Sequence, residues 1–259
     1  MEPKIFHRTT GRILDILELI ASTPNTHTLS AISQILNVPK SSISPILQEL
    51  VSRGYLCLSM EQKYSIGLSL YDIGSGFLKQ FNFLEEVEKY LINMTNVCNE
   101  ASHFSVLSGG DVLYLKKVNS PEPIRMVSFI GNKLPAYSTA LGKSLLLDYS
   151  LEQLHQLYPD GLTKITPNTI TDFNILSRQL NEGREKGYTY EIEESNQYIR
   201  CIAVPIRKEN HVVAAISIAT PIFRYTNETA QLSKKLLFDA KKKIEYLINR
   251  IDIDFEDLL

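Results

Sequence analysis

The sequence predicts an α+β chain. A helix-turn-helix with a two-stranded wing stands at the N-terminus, a helical stretch follows, and a larger domain on an antiparallel sheet completes it. Three observations predict this. Apolar residues up to position 53 recur at helical spacing between short polar breaks. Residues 55–66 hold two short apolar runs around a polar turn. From residue 101 strand-like runs follow one another through turn signals, with helical pieces between them.

The first helix rests on Ile13, Leu14, Leu17 and Ile20, with Thr9 or Thr10 as its cap and Pro24 and Asn25 as its stop. The second is SAISQIL, residues 30–36, with Ala31, Ile32, Ile35 and Leu36 on one face. Asn37, Val38 and Pro39 break it. A third spans about residues 40–53, with Ile43, Ile46, Leu47 and Leu50 apolar and Gly54 as a left-handed cap. Residues 55–58 and 63–66 pair as a hairpin around residues 59–62. Residues 67–99 are helical again, and Leu84, Val87, Leu91, Met94 and Cys98 make an amphipathic stripe.

In the larger domain the strand runs are ASHFSVL, VLYLKKV, IRMVSF, YTYEI, IRCIAVPI and HVVAAISIA. Ser150 and Gln153 form a capping box. Thr171 or Asp172 opens a helix ending near Gly187. Thr226 or Asn227 opens a long last helix buried through Leu236, Leu237, Ala240, Ile244, Leu247, Ile248 and Ile251.

Composition narrows the function. The chain has 259 residues, 44% hydrophobic and 22% charged, with net charge -2, an ordinary globular balance. No apolar run approaches the ~18 residues of a membrane span, and the first twelve residues lack a secretory core. Three cysteines make no disulfide framework, so a reducing cytoplasm is expected. Residues 1–80 carry net +1 and residues 81–259 net -3, so a nucleic-acid role must rest on motif geometry.

That geometry is present. A short helix, a three-residue turn and a second helix over residues 29–51 form the unit that places a recognition helix in the DNA major groove. The N-terminal end of the third helix offers Lys40, Ser41, Ser42 and Ser44 to phosphates and base edges. Arg53 and Lys63 add contacts from the helix end and the wing. Serines at helix starts are equally ordinary caps. Pro45 leaves two registers open: a helix from residue 40 with proline inside it, or one from Ser44 with proline harmless at its start.

The chain resembles the IclR-type transcriptional regulators over nearly its whole length. The matching segments are GRILDILELIAS, LSAISQILNVPKSSISPILQELVSRGYL, KYSIGLSLYDIG, GNKLPAYSTALGKSLL, GYTYEIEE, RCIAVPI and VVAAISIATPIFR. The resemblance implies a winged helix-turn-helix over residues 1–68, linker helices over 69–99 and a GAF-like effector-binding domain over 100–259. It also implies a homodimer or homotetramer on double-stranded operator DNA, with a repressor expected before an activator. Pro45 stands where a basic or polar side chain is common. Tyr198 stands where a Gly is common, which predicts a partly filled or reshaped pocket.

By the same resemblance Leu134, Ala140, Leu141, Glu191, Ile199, Cys201, Ser217 and Ala219 line the effector site, for a small carboxylate or sugar acid. Residues 134–143 combine apolar walls with small residues that let a ligand near the backbone, and Thr139 can open a helix. Glu191 would repel an anion unless Arg200 or Lys143 compensates, and Glu193 and Glu194 read as a solvated rim. Ala219 lacks the hydroxyl that family members often carry.

Enzyme readings are weak. The five histidines are scattered, and there is no HExxH, CxxC, GxSxG or P-loop. No catalytic residue, metal or cofactor is expected. The alternative is a GAF-like redox enzyme using Cys201; such chemistry needs a resolving cysteine or a base nearby, and the amphipathic stripe accounts for Cys98 as packing.

Overall fold

The computed structural model describes residues 7–23, 26–79, 82–126, 128–131 and 133–250. The chain divides into two compact units, Met1–Phe81 and Asn82–Leu259.

In the first unit α1 spans Arg8–Ser22, α2 Leu29–Ile35 and α3 Lys40–Ser52. The cap of α1 is His7, whose ring accepts from the Thr10 amide, so Thr9 and Thr10 lie inside the first turn. Ile16 and Ile20 are its buried residues, while Leu14 faces solvent. Pro24 and Asn25, the expected stop, fall outside the described residues. Thr28 caps α2, where Ile32 is buried and Ile35 is exposed. The core joins Ile16, Ile20, Ile32, Ile43, Leu47, Leu50, Leu56 and Tyr64. It is the small three-helix centre that the apolar spacing requires.

Helix α3 begins at Lys40, so Pro45 lies inside it and the later register does not occur. Proline has no N–H for the Ser41 carbonyl one turn back. The end of α3 is tightly made. The Gly54 amide donates to Val51 O and the Tyr55 amide to Leu50 O, with Gly54 at φ +72°. Strands β1 (Leu56–Leu58) and β2 (Tyr64–Ile66) form the wing, pairing Leu56 with Ile66 and Leu58 with Tyr64. A Cβ on Gly67 would lie 2.1 Å from Gly54 O. Two glycines thus bring the wing's exit against the end of α3. Helix α4 (Leu68–Lys79) follows, with Leu68, Tyr71 and Ile73 exposed.

The second unit opens with α5 (Asn82–Cys98), whose Leu84, Val87, Leu91 and Met94 are buried while Cys98 is part-exposed. The sheet comprises β3 (Ala101–Ser108), β4 (Asp111–Val118), β5 (Lys133–Pro135), β6 (Thr189–Ile192), β7 (Ile199–Lys208) and β8 (His211–Pro221). Its order is β5-β4-β3-β8-β7-β6 and every pair is antiparallel. The β3–β4 and β7–β8 hairpins turn on residue pairs with positive φ, Gly109-Gly110 and Glu209-Asn210. The run IRMVSF is not a strand: its described residues form bends and loop, and β5 takes the sheet edge instead. Short apolar runs carry no tertiary partner in themselves.

Helices α6 (Ala140–Leu145), α7 (Leu151–Leu157) and α8 (Phe173–Lys186) lie between β5 and β6, and α9 (Asn227–Ile248) closes the unit. Ser150 and Gln153 make the expected capping box, Asp172 caps α8, and Thr226 caps α9. Gly187 ends α8 at φ +74°. In α9 Leu237, Ala240, Ile244 and Ile248 are buried; Ile251 is outside the described residues. One sheet face packs on α6 through Cys201, Ala203, Ala215 and Ala219. The other meets α5: Phe83 stacks edge-on to Phe104 at 5.9 Å, and Ser102 Oγ donates to Leu91 O.

Candidate functional site

In the first unit the start of α3 is open. Lys40 and Ser41 are exposed and Ser42 and Ser44 are part-exposed. Pro39, the residue before the helix, supplies no side-chain cap. Arg53 is exposed at the other end of α3, paired with Glu49 at 2.5 Å. Lys63 lies on the wing, paired with Glu61 at 2.7 Å. The six residues therefore spread over helix start, helix end and wing. Among the described residues Lys40 is the one of these three cations without an ion pair, whereas Arg53 and Lys63 each have one.

In the second unit a small cavity lies between α6 and the sheet. Ala140, Leu141, Cys201 and Ser217 line it, together with His103, Tyr114, Met126, Thr139 and Ser195. Its volume is ≈ 10 Å³, room for about one water. Leu134, Ile199 and Ala219 sit in or against the same apolar cluster without lining it. Glu191 is buried and faces Cys201 across β6 and β7.

Alternation along β7 sends Ile199 and Cys201 to this side and Arg200 and Ile202 to the other. Thr139 accepts from the Gly142 amide at 2.9 Å, so that amide is not free for a ligand. A Cβ on Gly142 would lie 2.1 Å from Ala136 O, so its smallness serves backbone packing. His103 bridges Ser128 Oγ at 2.9 Å and Ser217 Oγ at 3.4 Å, edge-on to Tyr114. Burial, with Lys117 nearby, lowers its pKa to about 4, so the ring is neutral at pH 7.

Glu193 and Glu194 do not form a common solvated rim. Glu194 is buried and accepts from Lys143 Nζ at 2.6 Å, and Lys143 also donates to Gln179 Oε1 at 2.7 Å. Lys143 is thus a compensating cation; Arg200, on the opposite sheet face, is not. Glu191 accepts from the Glu194 amide at 2.8 Å and from Ser195 Oγ at 3.3 Å. Burial raises it to about 7 despite those donors. Tyr198 does not fill the cavity: its side chain is 71% exposed. What it shares with a glycine is its backbone, at φ +66°.

Thr139 belongs to the 134–143 segment that the sequence offers for the pocket, whereas His103, Tyr114, Met126 and Ser195 line it without a place among the expected residues. A histidine next to Ser102 inside the strand run ASHFSVL is the one available signal. Met126 was assigned to a strand that does not form.

A winged helix-turn-helix joined in one chain to an α+β domain that encloses a polar-edged cavity defines a ligand-responsive class of DNA-binding transcriptional regulator. Residues 9–57 match the IclR helix-turn-helix domain, and residues 75–246 match the family described as bacterial transcriptional regulator IclR C-terminal. The chain belongs to the IclR family.

Among its relatives, the HTH-type transcriptional regulator KdgR of Escherichia coli (strain K12) is 30% identical over 231 residues, 88% of each chain. The HTH-type transcriptional repressor AllR of the same organism is 26% identical over 236 residues, 90% of this chain and 87% of its own. The crystal structure of the Thermotoga maritima IclR superposes with a TM-score of 0.71 at 28% identity, covering 94% of this chain and all of that one.

The chain is a regulator and not an enzyme, and nothing supports the redox alternative. Burial and the adjacent Glu191 raise the Cys201 thiol well above its ordinary value, the opposite of an activated thiolate. Cys57, Cys98 and Cys201 are all free. Among the described residues no helix is long and apolar enough to cross a membrane.

Proposed function

We propose that this regulator acts as a cytoplasmic homodimer or homotetramer and as a repressor. Residues 1–68 grip the operator, 69–99 link, and 100–259 sense a small carboxylate or sugar acid. Lys40, Ser41, Ser42 and Ser44 approach the major groove, and Arg53 and Lys63 reach phosphates after releasing Glu49 and Glu61. The observation that carries this is the open start of α3, with Lys40 exposed and no side-chain cap before it.

The effector enters beside Ala140, Leu141, Cys201 and Ser217, with Leu134, Ile199 and Ala219 behind them. The cavity is too small to accept it unaltered, so capture requires the lining to move. Glu191, raised to about 7, donates a proton to a carboxylate when protonated. A carboxylate effector therefore binds more tightly below pH 7. The ligand must prefer one arrangement of the DNA-binding heads, since equal affinity for two states shifts neither.

Mobility shift on DNA upstream of the protein's own gene, across a salt series, tests the reading. Binding should prefer that DNA over scrambled sequence and weaken with salt. Lys40→Ala should weaken both kinds of DNA and lower the salt slope by about 1. Absence of sequence preference at every salt concentration would overturn the proposal.

A further inference from the structure

The sheet face opposite the effector cavity carries a second recess. Its volume is ≈ 180 Å³, and it lies between edge strand β6, its neighbour β7 and the start of α9. Tyr188, Tyr190, Arg200, Ile202, Tyr225 and Lys234 form its wall. Register explains the grouping. Tyr190 pairs with Ile202 and Ile192 with Arg200, so Tyr190, Ile202 and Arg200 point away from Cys201 and its cavity. Glu191 and Cys201 touch the recess but are committed to the other side, where Glu191 accepts from the Glu194 amide and Ser195.

Two cations meet here, and the one carboxylate on the lining, Glu191, has its oxygens on the Glu194 amide and Ser195 Oγ. Arg200 lies 4.0 Å above the Tyr225 ring and Lys234 4.4 Å above the Tyr188 ring. Neither has a hydrogen bond or ion pair among the described residues. On α8, Glu182 is held by Lys186 at 2.9 Å. Both cations are part-buried. A concave site with aromatic and aliphatic walls and two cations outside any ion pair has the make-up of a small-anion pocket. The guanidinium presents a fork to a carboxylate, while the tyrosine rings cover an apolar body.

We propose that this recess is a second ligand site, distinct from the effector cavity, which takes a small organic carboxylate with an aromatic or compact apolar body. Its walls include Tyr190 and Ile202, direct sequence neighbours of Glu191 and Cys201 on the same two strands. A ligand here therefore orders the edge strand that also backs the effector cavity.

The test is calorimetric titration of the full-length protein with benzoate and with neutral benzamide. Two variants are compared: Arg200→Gln/Lys234→Gln, and Ser217→Leu, which fills the inner cavity. Benzoate should bind wild type and Ser217→Leu alike. The double variant should weaken it by at least about tenfold, the loss expected for removed charge-assisted contacts, and benzamide should bind far more weakly throughout. Far-ultraviolet circular dichroism and operator mobility shift establish that each variant is folded and still holds DNA. Benzoate binding that survives in the double variant, or that disappears in Ser217→Leu alone, would overturn the second site. Neither result bears on operator recognition, which fails or stands by the DNA assay.

Discussion

Lys143 Nζ lies 2.6 Å from both carboxylate oxygens of Glu194, and the two side chains are only 1% and 6% exposed. Burial pushes Lys143 down and Glu194 up in pKa, and each charge opposes the other's loss. The pair ties α6 to the segment after β6, whose Ser195 lines the cavity.

Removing one partner strands the other. Lys143→Met should destabilise the chain by ~3–5 kcal/mol, because an uncompensated buried carboxylate remains. Lys143→Met/Glu194→Met should recover much of that loss. Urea unfolding followed by circular dichroism reads both. A single variant as stable as wild type would show the pair to be solvated.

Two buried groups near the cavity give stability opposite dependences on pH. Glu191 rises from 4.5 when unfolded to about 7 when folded. The folded state therefore holds more protons in that window, and stability falls as pH rises through it, by ~3 kcal/mol in all. His103 falls from 6.5 to about 4. There the unfolded state holds more protons, and stability is lost as pH falls from 6.5 towards 4, also by ~3 kcal/mol. The slopes oppose each other between pH 4.5 and 6.5. Glu191→Gln should leave stability climbing with pH across that interval, and His103→Gln should leave it declining. Denaturation midpoints at four pH values separate the cases. Parallel profiles in the two variants would refute the assignment.

Gly67→Ala should loosen the wing. Its Cβ would stand 2.1 Å from the Gly54 carbonyl oxygen, and backbone cannot yield cheaply. We expect ~2 kcal/mol of destabilisation and weakened operator binding, with the thermal transition of the second unit unchanged. Gly74→Ala is the control, since nothing lies within 4 Å of its added Cβ. It should stabilise α4 by about 0.5–1 kcal/mol. Equal behaviour of the two variants in mobility shift and calorimetry would dismiss the glycine contact.

Tyr198→Gly should stabilise the second unit by ~1 kcal/mol, because the left-handed backbone at φ +66° suits glycine. Tyr198→Ala should gain nothing, since alanine keeps the Cβ. Similar melting points for the two variants would mean the gain comes from the exposed ring instead.

Much of the fold was legible because its signals are local. Ile32, Ile43, Leu47 and Leu50 carry helical spacing, Gly54 carries the left-handed end of α3, and Ser150 with Gln153 carries its own cap. Strands β3, β4, β7 and β8 are long apolar runs joined by two-residue turns. The misses were contests between local options. His7 displaced Thr9 and Thr10 as a cap, and Leu14 lost its buried place to Ile16, because three-dimensional packing chose the face. IRMVSF has strand composition but no sheet edge to join, since residues 133–135 occupy it.

For the functional sites the division is sharper. Sequence order alone determined a winged helix-turn-helix ahead of an antiparallel α+β domain, because periodicity, caps and turn residues act within a few positions of one another. Only the folded chain decided which charges are compensated. Lys143 meets Glu194 across 51 residues, Arg200 turns to the opposite sheet face from Cys201, and His103 closes on Ser217 across 114. Long-range pairing of this kind depends on strand order and side-chain burial, which no short stretch of residues encodes.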